Sequence, residues 1–103
     1  MVTVVGLARR KAELNQEQFL HRWLRVHAVG TDYPGLVRYQ IGVTSASGPY
    51  DGIALMTFTD MAAFVAASES EEGLVRRRDA DSFCSSLEFM VVELHDVPQP
   101  KLR

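Results

Sequence analysis

The stretch VTVVGLA, residues 2–8, is a β-rich run whose apolar residues fall on both faces of a strand. Alternate residues of a strand point to opposite faces, so the run divides into two sets: Val2, Val4 and Ala8 on one face, Val5 and Leu7 on the other. A strand that is apolar on both faces is covered on both sides. The fold therefore has to supply two covering layers, and the rest of the chain indicates where each comes from.

The remaining chain alternates between helix and strand signals. A first helix begins with Asn15 as N-cap, where Gln18 completes a weak capping box, and it runs to about Val29 before Gly30 stops it. The other predicted elements, in chain order, are a Pro34-Gly35 turn, a strand over 36–44, a loop over 45–50, a strand over 52–59, a helix capped by Asp60, a helical piece over 70–81 and a strand over 87–97.

The resulting order, β-α-β-β-α-β, is typical of a ferredoxin-like α+β fold with a four-stranded antiparallel sheet and helices on one face. Two helices can cover only one face of that sheet. The strands over 2–8 and 52–59 are apolar on both faces, and so is much of the last strand. Because a large exposed apolar surface is rare on a monomer, we expect a twofold homodimer whose two sheets pack face to face.

Length and charge limit the classes of function. The chain has 103 residues, which suits one domain, taken as residues 1–97 with a short tail over 98–103. Its formal net charge is −2 and its basic residues are spread out, so it lacks the Lys/Arg stripe that would bind nucleic acid. The run Arg76-Arg77-Arg78 is interpreted as a solvated helix face.

Cysteine usage and the N-terminal segment favour a cytoplasmic protein. The single cysteine, Cys84, excludes an internal disulfide and a Cys-rich metal site. The segment over 2–11 carries its charges after its apolar part, which is the reverse of a signal peptide, and a membrane span needs about 20 apolar residues. We therefore expect no membrane association.

The stretch FLHRWLRVH places Phe19, Trp23 and His27 at intervals of four on the first helix. With Phe19 at zero, a helix of 100° per residue puts Trp23 at about 40°, His27 at about 80° and Val26 at about −20°. All four residues share the apolar arc that faces the sheet. His21 lies on the far side of the helix and is expected in solvent.

Two interpretations of His27 stay open. It is either a core histidine that is hydrogen bonded to a neighbour, or a functional group in a pocket between helix and sheet. In the second case it acts as a general acid/base or as a hydrogen-bond donor to a ligand. The sequence leaves its protonation state undecided.

Tyr39 is the second polar candidate. It shares one face of the predicted strand over 36–44 with Val37, Ile41 and Val43, so its ring is expected inside the protein. A buried tyrosine hydroxyl needs a partner or lines a pocket. Tyr39 is therefore either a core aromatic residue or part of a binding site.

His95 alternates with Glu93 on the predicted last strand and is interpreted as a cross-strand pair or a dimer contact. No close His/Glu spacing supports a metal site. The sequence also lacks a Gly-rich phosphate loop and a G-x-S-x-G motif. We therefore expect neither a metal nor a cofactor.

Several motifs, in their order and spacing, resemble the EthD family of the dimeric α+β barrel superfamily over nearly the whole chain. The first helix has an aromatic–x3–Trp–x3–His motif (Phe19, Trp23, His27), and a Pro-Gly-Leu turn leads into an Arg-Tyr strand (Pro34, Gly35, Leu36, Arg38, Tyr39). The next strand starts with Asp-Gly-Ile-Ala (Asp51, Gly52, Ile53, Ala54) and is followed by Phe58 and a helix with Phe64. A late Asp–x3–Phe (Asp79, Phe83) and a terminal Glu-x-His (Glu93, His95) complete the set. Each motif is weak alone, and their common order makes the resemblance specific.

The resemblance implies a ferredoxin-like protomer, a homodimer whose sheets form a barrel, and a cleft between helices and sheet in each subunit. In enzymatic relatives the helix histidine and the strand tyrosine are the usual polar groups of the cleft, which makes His27 and Tyr39 the catalytic candidates. The expected walls of the ligand pocket are Phe19, Trp23, Phe58 and Phe83.

The implied activity is cofactor-free isomerisation, cyclisation or another proton transfer on a small oxygenated cyclic or aromatic metabolite. Two alternatives stay open: a non-catalytic binding or accessory protein of a degradation or biosynthesis pathway, and a cofactor-free monooxygenase. The chain also departs from the family pattern. Leu55 follows Ala54 where relatives often have Glu, and Leu94 separates Glu93 from His95 where a second Glu is common. These departures leave the reaction open.

Overall fold

The structure is a computed structural model that describes residues 1–44 and 47–101. Its elements, in chain order, are β1 (Val2–Arg10), α1 (Gln16–His21) with a π-helical continuation (Arg22–His27), β2 (Leu36–Val43), β3 (Gly52–Phe58), α2 (Met61–Glu69), α3 (Glu71–Asp81) and β4 (Cys84–Val92). The strands form one antiparallel sheet in the order β2-β3-β1-β4. The predicted ferredoxin-like α+β fold is confirmed. Residues 45–46 of the predicted loop and 102–103 of the predicted tail lie outside the described residues.

β1 lies between β3 and β4 and uses both of its apolar faces. Val4 and Ala8 pack in the core, where they are 2% and 0% exposed. Val5 and Leu7 alternate with them and point to the opposite face, where Val5 pairs with Leu55 of β3. The prediction that both sets of apolar residues need cover is consistent with this arrangement, because the helices cover only the face of Val4 and Ala8.

The second face of the sheet is open and has an apolar centre, with Arg38, Gln40 and Glu88 on the two edge strands. Besides Val5 and Leu7, the strands place four apolar residues there: Ile53, Leu55, Met90 and Val92. Met90 is 50% exposed, although it pairs with Val5 near the middle of the sheet. This open face is the surface that the sequence assigns to a second subunit.

The predicted start of α1 is confirmed, and its predicted end is wrong. Asn15 Oδ1 accepts a hydrogen bond from the Gln18 N–H at 2.8 Å, and Gln18 Oε1 accepts one from the Asn15 N–H at 2.9 Å. Together these bonds form the capping box. Instead of continuing as an α-helix to Val29, the chain changes to a π-helix over Arg22–His27. Gly30 follows with a φ of +77°, as expected of a residue that ends a helix.

The π turn changes which side chains face the sheet. A π turn contains more residues than an α turn, so each residue advances less around the helix axis. Val26 is consequently rotated outwards and is 51% exposed, and its predicted place in the buried arc is wrong. Trp23 stays inside at 3% exposed, and His27 stays on the same stripe with its side chain 13% exposed.

α2 and α3 begin at the predicted residues. Asp60 Oδ1 accepts a hydrogen bond from the Ala63 N–H at 2.8 Å, and Ser70 Oγ accepts one from the Gly73 N–H at 3.0 Å. These side chains satisfy N–H groups that have no partner within their own helices. Within the part of the chain that the structure describes, no helix has the length and apolar character needed to cross a membrane.

The predicted inward face of β2 is only partly right. Val37 is the extra residue of a β-bulge near the start of the strand and is 57% exposed. Because a bulge shifts the alternation by one residue, Tyr39 and Ile41 face the helices and Val37 does not. Val43, the last residue of β2, is 45% exposed. The predicted face is therefore wrong at Val37, whereas Tyr39, Ile41 and Val43 keep the predicted alternation.

The last strand is displaced from its predicted position. β4 runs over Cys84–Val92 instead of 87–97, and its last pair with β1 joins Val92 to Thr3. Since β1 begins at Val2, the residues beyond Val92 have no strand to pair with. Glu93 and His95 consequently lie outside the sheet and are exposed, so the predicted strand alternation of these two residues is wrong.

Gly35 provides a test of how closely β2 and α2 approach each other. It has a φ of +83°, and a Cβ at this position would lie 2.6 Å from the Cβ of Ala63. Gly30 has a similar positive φ but no neighbour within 4 Å of such a Cβ. We expect Gly35→Ala to lower the free energy of unfolding by about 2–5 kcal/mol, because left-handed strain and a core clash add together. The matched Gly30→Ala variant should lose only about 1–2 kcal/mol.

Urea unfolding of both variants and the wild type at one protein concentration measures this difference. Equal losses in the two variants would show that the contact between Gly35 and Ala63 is unimportant.

Candidate functional site

A cavity of about 380 Å³ lies between the sheet and the helices. Five of the six residues predicted to form the site line it: Trp23, His27, Tyr39, Phe58 and Phe83. They come from the π segment, β2, β3 and the turn between α3 and β4. Residues far apart in the sequence are therefore brought together around one mostly apolar space, which is the usual form of a small-molecule site.

Phe19, the sixth predicted residue, does not line the cavity. It is 0% exposed, and its ring centroid lies 5.5 Å from that of Trp23 and 5.7 Å from that of Phe83. Phe19 therefore supports the wall from behind, and its predicted contact with a ligand is wrong. Trp23 has a further support at the start of β3, because a Cβ on Gly52 would overlap its ring.

His27 is anchored by a carboxylate on another helix. Its Nδ1 lies 2.6 Å from Oδ2 of Asp79 on α3, and its ring meets the edge of Phe83 with centroids 5.1 Å apart. An ionised carboxylate only accepts hydrogen bonds, so Nδ1 donates and Nε2 of the neutral ring keeps its lone pair. Among residues 1–44 and 47–101, no hydrogen-bond partner of Nε2 is found. The Asp79 carboxylate therefore fixes the orientation of the His27 ring.

Asp79 is itself held by Arg22 at the start of the π segment. Arg22 donates to both carboxylate oxygens, with Nη1 at 3.3 Å from Oδ2 and Nη2 on Oδ1. The Arg22 guanidinium also lies over the Phe83 ring, 5.3 Å from its centroid. The hydrogen bond from Arg22 lowers the pKa of Asp79, and the bond to His27 adds to this effect against the opposing effect of burial. Asp79 is therefore ionised at neutral pH and ties Arg22 and His27 together.

The π segment explains how Arg22 and His27 reach the same carboxylate. The Ala28 N–H donates to the carbonyl of Trp23 at 2.9 Å, which closes a π-type turn. The carbonyl of His27, close to the end of this segment, accepts a hydrogen bond from Nη1 of Arg76 at 2.6 Å. α3 thus binds the end of the helix twice, through the His27 ring and through the His27 carbonyl.

Two tyrosines also line the cavity. Tyr39 was predicted as a site residue from the sequence, whereas Tyr33, which is 8% exposed, was not. Burial raises the pKa of both hydroxyls, and the positive charge of Arg76 opposes part of each rise. The Trp23 indole N–H also lowers the pKa of Tyr39. Both tyrosines are therefore neutral hydroxyl groups at physiological pH, available as hydrogen-bond donors.

Arg76 corrects the interpretation of the basic run as a solvated face. Its side chain is only 21% exposed and lines the cavity. Arg77 reaches the cavity as well and lies over Phe89, 5.9 Å from the ring centroid. Arg77 and Arg78 are exposed, as predicted, and of these two only Arg78 is absent from the cavity wall.

Cys84 closes the cavity at the start of β4. It is 7% exposed, and burial raises the pKa of its thiol to about 11. A thiol of this pKa is a poor nucleophile at neutral pH, so Cys84 acts as part of the apolar wall. The described residues contain no group of three or more His, Cys, Asp or Glu side chains that could hold a metal ion.

Sequence reasoning missed the residues that organise the polar side of the site: Arg22, Tyr33, Arg76 and Asp79. Asp79 was singled out in the Asp–x3–Phe motif, but its partner His27 lies 52 residues away in the sequence. No local spacing connects such a pair, because the contact depends on how α3 crosses the π segment. The only available signal was the motif itself.

Comparison with known proteins supports the fold. No protein-family model and no curated protein matches the sequence. An ethyl tert-butyl ether d (EthD) family protein from Bacillus halodurans matches with a TM-score of 0.80 and 21% identity, over 92% of this chain and 99% of that one. SnoaB, a cofactor-independent oxygenase from Streptomyces nogalater, matches with a TM-score of 0.72 and 18% identity, over 93% and 94%. A dimeric protein of unknown function and ferredoxin-like fold from Bacteroides fragilis matches with a TM-score of 0.70 and 9% identity, over 90% and 95%.

These likenesses define the class of protein as ferredoxin-like, of the type found in EthD-family structures and cofactor-independent oxygenases. The resemblance to the EthD family that the sequence suggested is confirmed at the level of the fold. Sequence identities of this size establish the fold and leave the reaction to be argued from the site.

Asp79 should make the stability of the protein depend on pH. Its pKa is lower in the folded protein than the value of about 3.9 expected when unfolded, so its contribution is complete above that value. The contribution is lost as the pH falls through the folded-state pKa. We expect Asp79→Asn to lower the free energy of unfolding by about 1–2 kcal/mol at neutral pH. The difference from the wild type should shrink progressively below about pH 4.

The matched control is Asp81→Asn, which removes an exposed carboxylate from the same helix and should change stability by less than about 0.5 kcal/mol. Urea unfolding at a series of pH values compares the three proteins. A loss from Asp79→Asn that stays constant down to pH 2 would contradict the charged interaction.

Proposed function

We propose that the cavity binds a small, planar, oxygenated cyclic or aromatic metabolite and that the protein catalyses a cofactor-free proton transfer, such as an isomerisation or cyclisation. The observation that carries this proposal is the anchored His27. A core histidine needs one satisfied hydrogen bond, whereas His27 has a carboxylate on Nδ1 and an open Nε2 in a ring that lines a cavity.

His27 is the proposed catalytic residue. Asp79 does not line the cavity, so it holds Nδ1 from behind and the opposite ring nitrogen serves the ligand. Nε2 would take a proton from an activated carbon and return it elsewhere on the same molecule. Asp79 is a positioning residue, because it fixes the ring orientation and stabilises the imidazolium that forms on proton uptake.

Tyr39 is the proposed hydrogen-bond donor to the substrate oxygen. Removal of a proton next to a carbonyl group places negative charge on that oxygen, and a neutral hydroxyl can stabilise it. Trp23, Phe58 and Phe83 form flat apolar walls that suit a planar ring. Such walls exclude water, which strengthens the polar interactions inside.

The expected rate enhancement is modest and therefore suits a substrate that is already activated. One general acid/base contributes about 10²–10⁴ in rate, which is modest beside most enzymatic accelerations. A cavity without further catalytic groups would therefore act on protons that are already acidic, such as those next to a carbonyl group or between two unsaturated groups.

A second candidate is a cofactor-free monooxygenase. The likeness to the oxygenase SnoaB favours it, and both reactions can begin with the same proton removal. The resulting electron-rich carbanion would then react with oxygen instead of being protonated again. Oxygen consumption that depends on the protein, measured with the enolisable tricyclic anthrone, separates this reaction from simple proton transfer.

We also propose that the protein is a homodimer joined through the open face of its sheet. Its apolar residues would otherwise remain in water, and one similar structure is described as dimeric. Packing of two such sheets is a closed twofold arrangement, which explains why neither face of β1 carries a charged residue between Thr3 and Ala8. A cytoplasmic location stays a prediction from the sequence.

His27→Gln tests the proposed chemistry with 2-tetralone, an enolisable bicyclic ketone, as the probe. In deuterated buffer the wild-type protein should accelerate exchange of the protons next to the carbonyl group, observed by proton NMR. His27→Gln should reduce the protein-dependent rate by about 10²-fold or more, because glutamine cannot take up a proton in this range. The matched control, His21→Gln, changes an exposed histidine on the same helix and should leave the rate unchanged.

Quenching of the fluorescence of the only tryptophan, Trp23, reports binding of the same probe separately. Binding without any exchange or oxygen uptake would make the protein a binding or accessory protein and would contradict the catalytic proposal.

Met90→Lys tests the homodimer. Met90 is half exposed in one subunit, so a lysine can stay hydrated in the monomer but would place charge inside the proposed interface. Light scattering during size-exclusion chromatography should give the mass of a dimer for the wild type and of a monomer for Met90→Lys. The control, Val65→Lys, places the same charge at a 39% exposed position on α2 and should remain dimeric. A monomeric wild type would refute the proposal.

A further inference from the structure

The charged residues around the cavity all have one sign. Arg76 and Arg77 line it, whereas no Asp or Glu among the described residues does. The chain as a whole has a formal net charge of −2, so this concentration of positive charge is local. An apolar cavity strengthens electrostatic interactions relative to water, which makes the sign of the lining important for ligand choice.

Arg76 is held in a fixed position at the cavity. Its Nε donates to Oε1 of Glu72 at 3.0 Å, and its Nη1 donates to the carbonyl of His27 at 2.6 Å. No hydrogen bond from Nη2 to another described residue is found. The guanidinium is therefore oriented by two protein acceptors and retains a free edge. Arginine in this state can bind an anionic oxygen without losing much conformational entropy.

Tyr33 and Tyr39 line the same cavity as the Arg76 guanidinium. The positive charge of Arg76 lowers the pKa of each tyrosine against the larger effect of burial. Neither tyrosine O–H donates to an acceptor among residues 1–44 and 47–101. The cavity therefore contains several hydrogen-bond donors that have no acceptor.

We propose that Arg76 and Tyr33 bind the carboxylate of the ligand, so that the cavity selects a planar cyclic or aromatic carboxylate over its neutral analogues. This inference deepens the proposed function and rests on it for the place of the ligand. A carboxylate has two acceptor oxygens and a negative charge, which match an arginine edge and a hydroxyl. A neutral amide of the same shape would offer the free edge of Arg76 only an uncharged acceptor, which makes a weaker hydrogen bond than a carboxylate.

Isothermal titration calorimetry with 2-naphthoate and 2-naphthamide tests the proposal directly, because these probes share a ring system and differ in charge. The wild type should bind 2-naphthoate about tenfold or more tightly than 2-naphthamide, since a charged hydrogen bond is stronger than a neutral one. Equal affinity, or no measurable binding of 2-naphthoate, would overturn the proposal.

Arg76→Met should weaken 2-naphthoate binding by about tenfold or more and leave 2-naphthamide binding almost unchanged. Arg78→Met removes the same charge from an exposed position on the same helix and should change neither affinity. Tyr33→Phe, which keeps the ring, should weaken only 2-naphthoate binding, by about fivefold. If Arg76→Met and Tyr33→Phe both leave the preference for 2-naphthoate intact, the assignment of the carboxylate to these residues is wrong.

The two proposals fail in different experiments. A preference for the carboxylate probe that is lost in Arg76→Met supports the binding assignment even if His27→Gln has no effect on proton exchange. Conversely, proton exchange that depends on His27, together with equal binding of the two naphthalene probes, would support the chemistry and overturn the carboxylate inference.

Discussion

The central strand β1 has to be covered on both faces, and the rest of the structure depends on this constraint. Val4 and Ala8 need the helices, whereas Val5 and Leu7 need a second apolar surface. Residues that satisfy the first requirement also determine where the cavity lies, because α1 and its π segment, α2 and α3 share the same face of the sheet. Aromatic side chains fill part of the layer between the helices and the sheet. The space that they leave is the cavity, which a ligand would occupy.

Asp79 connects this architecture with its chemistry. One carboxylate receives hydrogen bonds from Arg22 and His27, which lie at the two ends of the π segment. The same interaction thus secures α3 to the first helix and sets the orientation of the imidazole. If His27 acts as proposed, the ion pair that secures α3 also positions the proton acceptor, and both stability and function depend on Asp79.

The sequence predicted the order of elements, the caps at Asn15 and Asp60, and the faces of β1, because these follow from local chemistry and alternation. It failed where the backbone departs from regular geometry. The π turn moved Val26 outwards, and the bulge in β2 removed Val37 from the inward face. Neither irregularity has a local sequence signal strong enough to predict.

The site was predicted in part for the same reason. Trp23, His27 and Tyr39 were found because each lies on the apolar face of a regular element, and Phe58 and Phe83 belonged to the motifs of the family resemblance. Arg76 was misjudged, because a basic run with acidic neighbours is normally hydrated. Only the position of α3 over the end of the π segment brings its guanidinium to the His27 carbonyl.

Cys84 offers a way to measure access to the cavity. It is the only thiol in the chain, it lies in the cavity wall, and its pKa of about 11 keeps it protonated at neutral pH. An alkylating reagent that enters the cavity can reach this thiol directly. The rate of labelling therefore reports access to the cavity, and a ligand that fills the cavity lowers that rate.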